Sequence, residues 1–149
     1  MKLLKIKPPL FALAYLLFFS GLHFLIPQAK NITLPHRIVG TLVILLGLSL
    51  MLWAWTLFQK AHTVLSPTET PKAFVEEGPF QMTRNPMYVG ITLILLGIAI
   101  FMGGVFVFFA PVAFFLTVHF VHIPHEEKKL EKTFEEKYLG YKKKTRKWI

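Results

Sequence analysis

Two long stretches without a formal charge constrain this chain more than any other feature. Ile38–Phe58 runs for 21 residues, and Met87–Val121 for 35, without an Asp, Glu, Lys or Arg. About 20 apolar residues rising 1.5 Å each cross the ~30 Å hydrocarbon core of a bilayer. The first stretch is therefore predicted to be one transmembrane helix. The second would be roughly 50 Å long as a single helix, more than a bilayer needs. Gly103-Gly104 in its middle supplies a turn, which predicts a helical hairpin with arms Met87–Met102 and Val105–Val121. Both arms are short, so little tilt is expected, and Pro111 is expected to kink the last one. A further apolar run, Leu10–Ile26, lies between Pro8-Pro9 and Pro27. Lys2, Lys5 and Lys7 before it resemble a signal-peptide n-region. However, 17 apolar residues are long for an h-region, and no small-x-small cleavage pattern follows Ile26. We read it as a retained first span. The expected fold is an all-α membrane protein of about four spans forming a single domain over residues 1–149.

Composition agrees. Hydrophobic residues make up 54% and charged residues 17%, against roughly 25% charged in a soluble domain. The absence of Cys excludes disulfides, thiolate metal sites and thiol nucleophiles. With no Asp and no Gly-x-Ser-x-Gly, a Ser-His-Asp hydrolase is excluded as well. The net charge is +9, and its distribution orients the spans. Lys and Arg number 3 in residues 1–9, 2 in 27–37, 3 in 59–86, none at the Gly103-Gly104 turn and 9 in 122–149. Four spans put 15 of these on one side and 2 on the other. The positive-inside rule then places both termini and the 59–86 connection in the cytoplasm. Nothing addresses the chain to an organelle, so a plasma or bacterial inner membrane is expected. The basic residues are expected to face membrane lipid. Nucleic acid is not an expected partner, because no nucleic-acid-binding module accompanies the charge.

Two polar segments meet on that face. Gln59–Pro86 contains Pro67, Pro71, Gly78 and Pro79 and reads mostly as loop, with a short interfacial helix at Lys72–Glu77. It is long for a connection, and long ordered loops are often functional. In Pro124–Ile149, Pro124 can open a helix at its first position. Leu130, Phe134, Tyr138 and Tyr141 then share one helical face, with lysines mostly elsewhere. The pattern is that of a basic amphipathic helix at the membrane surface.

Chemistry can sit at two places. Asn85 is placed to cap the third span and Pro86 to begin it, leaving free N–H groups beside Arg84 as a ready anion site. Tyr88 lies one turn in, and Gly90 allows close approach of a ligand or backbone. Each residue also has a plain structural reading: a cap, a snorkelling arginine, an aromatic-belt tyrosine and a helix-packing glycine. The second place is His122-Ile123-Pro124-His125-Glu126-Glu127. Paired carboxylates at a membrane edge are costly unless they face something positive or polar. They are equally well placed as acids in the first turn of a helix. His119, His122 and Glu126 have a spacing that suggests a metal, but Pro124 is expected to interrupt the helix that would align them, and no metal site is assigned.

Taken together, these motifs resemble the integral-membrane methyltransferases that include isoprenylcysteine carboxyl methyltransferase and the phospholipid N-methyltransferases. Their Arg-His-Pro-x-Tyr-x-Gly segment corresponds to Arg84-Asn85-Pro86-Met87-Tyr88-Val89-Gly90. Their Ile-Pro-x-Glu-Glu-x-x-Leu stretch corresponds to Ile123–Leu130, followed by Phe134-Glu135, Tyr138, Tyr141 and Arg146-Lys147-Trp148-Ile149. The resemblance covers roughly residues 75–149. It implies S-adenosylmethionine as cofactor and methyl transfer to a lipophilic or lipid-linked acceptor. It also implies a cofactor site of Asn85, Pro86, Tyr88, Gly90, His125, Glu126, Glu127, Leu130 and Phe134, with Arg84 and Glu127 catalytic. In that reading the Asn85-Pro86 helix start meets the cofactor carboxylate, Glu126 or Glu127 its amine or ribose, and Tyr88 and Phe134 flank the adenine.

Two departures from the pattern stand out. Asn85 replaces the usual His, and Glu135 replaces the usual Gly, where only local packing is expected to change. Two other functions fit parts of the sequence. A four-span scaffold whose basic helix binds anionic lipid or a partner protein explains the charge, but not the co-occurrence of the two motifs. A transporter or channel is disfavoured by the lack of charge within the spans.

Overall fold

A computed structural model describes residues 6–26, 36–63 and 71–149. Lys2 and Lys5, the 27–35 connection and Pro67 lie outside the described residues. Among the described residues there are helices and turns and no strand. Helix α1 spans Pro8–Leu25, α2 His36–Lys60 and α3 Pro86–Met102. The chain then turns at Gly103, whose φ of 66° is the left-handed conformation that closes a helix without a Cβ penalty. A 3-10 turn at Val105–Phe108 leads into α4, Phe109–Thr117, then a π turn at Val118–His122 and α5, Ile123–Lys144. Helices α1 and α2 and the joined Val105–Lys144 path are long and apolar enough to cross a membrane, while α3 is a shorter apolar helix of 17 residues. The chain is an integral membrane protein.

The helices α2 and α3 make the most extensive contact, because glycines face each other across it. A Cβ on Gly47 would stand 2.6 Å from the Gly90 carbonyl oxygen, and one on Gly97 would stand 2.8 Å from that of Gly40. Without side chains at these positions the two backbones approach closely, which is how helices gain contact in lipid. Helix α1 packs on α4 instead. Tyr15 and Thr117 hydrogen-bond at 2.8 Å, and the Phe19 and Phe109 rings stack at 5.9 Å. The outer faces remain apolar: Leu13, Leu17, Leu42, Leu46 and Trp53 are all exposed. Such a surface is unsuited to water and matches lipid.

Four local expectations are corrected. Pro111 lies in the first turn of α4, near the start where a helix leaves N–H groups unpaired, and the irregularity falls later, in the π turn. Pro124 does not interrupt the path from α4 to α5. A proline lacks the N–H for the usual bond and crowds the carbonyl four residues back, and the π turn just before it widens the helix there. No helix forms at Lys72–Glu77, and a 3-10 turn at Gly78–Gln81 takes its place. Finally, α5 is broken at Glu135, whose φ of 41° and ψ of −120° are not helical.

Candidate functional site

The start of α3 and the start of α5 come together at the end of the bundle that also holds Ile6 and the segment Thr145–Ile149. Arg84 is the link. Its Nε and Nη2 donate to Glu127 Oε1 at 3.1 and 2.8 Å. Its Nη1 donates to the carbonyls of Lys142 at 3.2 Å and Thr145 at 2.6 Å. A guanidinium has five N–H donors, so almost all of its capacity is spent inside the protein. Glu127 is held from the other side as well, by Lys142 Nζ at 3.3 Å from Oε2. Lys142 also meets Glu131 at 2.6 Å, and this bond, with the nearby Glu127 charge, raises the ammonium pKa. The Arg84 and Glu127 side chains are only 10% and 11% exposed, so this pair is held by desolvated, charge-assisted bonds rather than by surface attraction.

The neighbouring acid behaves differently. Tyr88 donates its hydroxyl to Glu126 Oε1 at 2.6 Å. Burial pushes the Glu126 carboxyl up to about 7, although the Tyr88 hydrogen bond and Lys129 pull it down. Desolvation therefore wins, and Glu126 changes charge near neutrality.

Both pairs border one cavity of about 180 Å³. Arg84, Asn85, Pro86, Tyr88, Glu126, Glu127 and Leu130 all line it. Most of the remaining wall is apolar: Pro8 and Pro9 from α1, Phe58 from α2, Ile91 from α3, and Phe74, Phe80, Tyr138 and Tyr141. Burial holds the Tyr138 and Tyr141 hydroxyls protonated, well above the ordinary phenol range. Tyr141 donates to the Phe80 carbonyl at 2.6 Å. The segment that carries Phe74 is tied to the end of α2: the Thr63 hydroxyl oxygen accepts the amides of Lys72 and Ala73 at 3.0 and 3.3 Å.

Three expected site residues fall elsewhere. Gly90 faces α2, against Gly47 and Met51, because the helix turn that aims Tyr88 at the cavity aims Gly90 away. His125 is exposed and does not line the cavity. Phe134 packs behind Phe74, with ring centroids 5.4 Å apart, rather than on the cavity. Asn85 occupies the cap position of α3, but its side chain caps nothing. Its Nδ2 donates to the Lys147 carbonyl at 3.0 Å, while the Thr83 hydroxyl accepts the Asn85 amide. The amphipathic face of α5 does not lie on the membrane. Phe134, Tyr138 and Tyr141 gather around Phe74 at 5.2–5.9 Å. His119, His122 and Glu126 have three different partners: Trp148 Nε1, the Ile6 carbonyl and Tyr88. Sequence reasoning missed Phe74, Phe80, Thr63 and Lys142. The available signal was two phenylalanines inside a proline-rich polar connection, where an aromatic ring has little use unless something covers it.

A sequence model of the phospholipid methyltransferase family matches residues 35–137. An uncharacterized protein of Haemophilus influenzae is 33% identical over 63 residues, which are 42% of this chain and all of that one. No solved structure matches. The matched stretch carries α2, α3, α4 and both halves of the Arg84–Glu127 corner, and the chain belongs to the phospholipid methyltransferase family.

Proposed function

We propose that this protein moves a methyl group from S-adenosylmethionine to a lipophilic acceptor, a lipid headgroup or an isoprenylcysteine-like carboxylate, at the cytoplasmic leaflet. The observation that carries this reading is the convergence of two distant motifs on one cavity. Arg84 meets Glu127 across 43 residues, and Tyr88 meets Glu126 across 38. The family membership supplies the reaction type.

The lining fits the cofactor by its chemistry. Aromatic and apolar walls from Phe74, Phe80 and Tyr138 suit an adenine ring, and a partly buried carboxylate that ionises near neutrality suits an amine or sulfonium. S-adenosylmethionine brings an already activated methyl group, so the protein's task is placement and charge control. Glu126 and Tyr88 are the groups left to meet a cation or a ribose. Arg84 and Glu127 act as positioning residues: their mutual bonds hold the starts of α3 and α5 at a fixed separation. In this reading an acceptor's hydrocarbon part would lie in the bilayer beside Pro8, Pro9 and Ile91, which line the cavity.

The test is calorimetry of S-adenosylmethionine binding to detergent-purified protein, followed by radiolabelled methyl transfer into a total lipid extract and into a prenyl-cysteine mimic. Binding weakened at least tenfold in Glu126→Gln, with transfer into one of the two acceptors by the native chain, is expected. No binding to a folded native protein would overturn the reading in favour of a four-span scaffold.

A further inference from the structure

We propose that the C-terminal segment Lys143–Ile149 is a latch on the Arg84–Asn85 wall of the cavity and is seated by anionic phospholipid headgroups of the leaflet beside it. The tail has two chemically different sides. Its backbone faces the site: the Arg146 carbonyl accepts the Arg84 amide at 2.9 Å, and the Thr145 carbonyl accepts Arg84 Nη1 at 2.6 Å. The Lys147 carbonyl accepts both Thr83 Oγ1 at 3.1 Å and Asn85 Nδ2 at 3.0 Å. The cationic side chains face outward. Lys143, Lys144 and Arg146 are exposed, and among the described residues none is ion-paired with a carboxylate. Residues 138–149 lie beyond the stretch matched to the family.

The end of the tail marks its depth. Trp148 packs on Phe115 with centroids 4.6 Å apart and donates to His119 Nδ1 at 3.0 Å. Ile149 and Phe120 beside it are 73% and 70% exposed. An indole with an apolar ring on one side and a polar partner on the other, next to exposed apolar residues, is the arrangement of a membrane–water interface. Arg146 lies two residues before Trp148, and Lys143-Lys144 end α5 just ahead of it. Their side chains therefore reach the level of the headgroups.

Charge complementarity selects the occupant. Each basic side chain held at an anionic leaflet gains about fivefold in partition, so three acting together favour the seated tail on the order of a hundredfold at low salt. The effect of the latch on turnover rests on the methyltransferase reading, whereas its seating does not.

Hydrogen exchange in nanodiscs, read by mass spectrometry without cofactor or acceptor, tests the seating separately from catalysis. The discs are phosphatidylcholine alone, or phosphatidylcholine with one part in three phosphatidylglycerol. The Arg84 amide and the tail should exchange about tenfold or more slowly in the anionic discs at low salt, with the difference shrinking as salt is added. Lys143→Gln/Lys144→Gln/Arg146→Gln should lose the dependence on lipid while the α2–α3 amides stay unchanged. Equal exchange in both discs, or a triple variant that keeps the dependence, would overturn the proposal. So would equal protection in neutral discs supplied with inorganic phosphate, which would assign the surface to a free anion.

Discussion

Glu135 offers a test whose sign opposes ordinary helix rules. It sits within α5 at φ 41° and ψ −120°, a region in which the Cβ of an L-residue crowds the backbone. Such conformations cost about 1–3 kcal/mol and persist only where the surrounding structure imposes them. Here Tyr138 and Tyr141 on one side of the break and Phe134 on the other all close on Phe74, and that packing holds the bend. Glu135→Gly removes the Cβ. Against a strain of about 2 kcal/mol stands roughly 1 kcal/mol of extra backbone entropy in the unfolded glycine chain. The net gain is about 1 kcal/mol, which for a chain of this size is about 2–4 °C in Tm. Glu135→Ala keeps the Cβ and removes the same exposed carboxylate, so it should change stability by less than about 0.5 kcal/mol. Glu136→Gly, at ordinary helical geometry one residue on, should cost about 0.5–1 kcal/mol. Thermal or denaturant unfolding in detergent, followed by circular dichroism, separates the three. If Glu135→Gly destabilises as much as Glu136→Gly, the strained bend does not exist and the packing account of α5 is wrong.

Other outcomes follow from the same contacts. Gly47→Ala would put a methyl group 2.6 Å from the Gly90 carbonyl, so α2 and α3 must separate at a cost of about 1–3 kcal/mol, whereas Gly140→Ala, with open space around it, should be neutral or stabilising in the same unfolding assay. Arg84→Ala strips the buried Glu127 of its main partner and should cost about 3–5 kcal/mol, and Arg84→Lys should recover only part of this because an ammonium cannot replace the fork. Glu126 has its proton held by burial up to about 7, against an ordinary 4.5. Its contribution to stability is therefore full below 4.5 and is lost as pH rises towards 7, while affinity for a cationic cofactor should rise through that same window. Both trends should vanish in Glu126→Gln, by unfolding at a series of pH values and by calorimetry respectively.

The spans were legible in the sequence because a bilayer imposes a single requirement, a run of about 20 apolar residues, and local composition satisfies it or does not. The Gly103-Gly104 turn was legible for a similarly local reason. The two motifs at Arg84–Gly90 and Ile123–Leu130 stood out by residue type and spacing, so the material of the site was visible before its geometry. What each residue does there was less legible. Gly90 and Tyr88 are two residues apart on a helix, and a rotation of about 200° between them sends one to α2 and the other to the cavity. His125 and Glu126 are adjacent and diverge for the same reason.

The order of polar and apolar residues along the chain thus determined that it is helical, that it spans a membrane, and which two segments carry polar chemistry at one end. Only the tertiary structure decided that Arg84 is saturated by Glu127 and by tail carbonyls, that Asn85 ties down Lys147 instead of capping α3, and that Phe74 closes the wall. Those are pairings between groups tens of residues apart. Hydropathy is a property of each segment alone, whereas a hydrogen bond or a buried ion pair depends on where two segments finally meet.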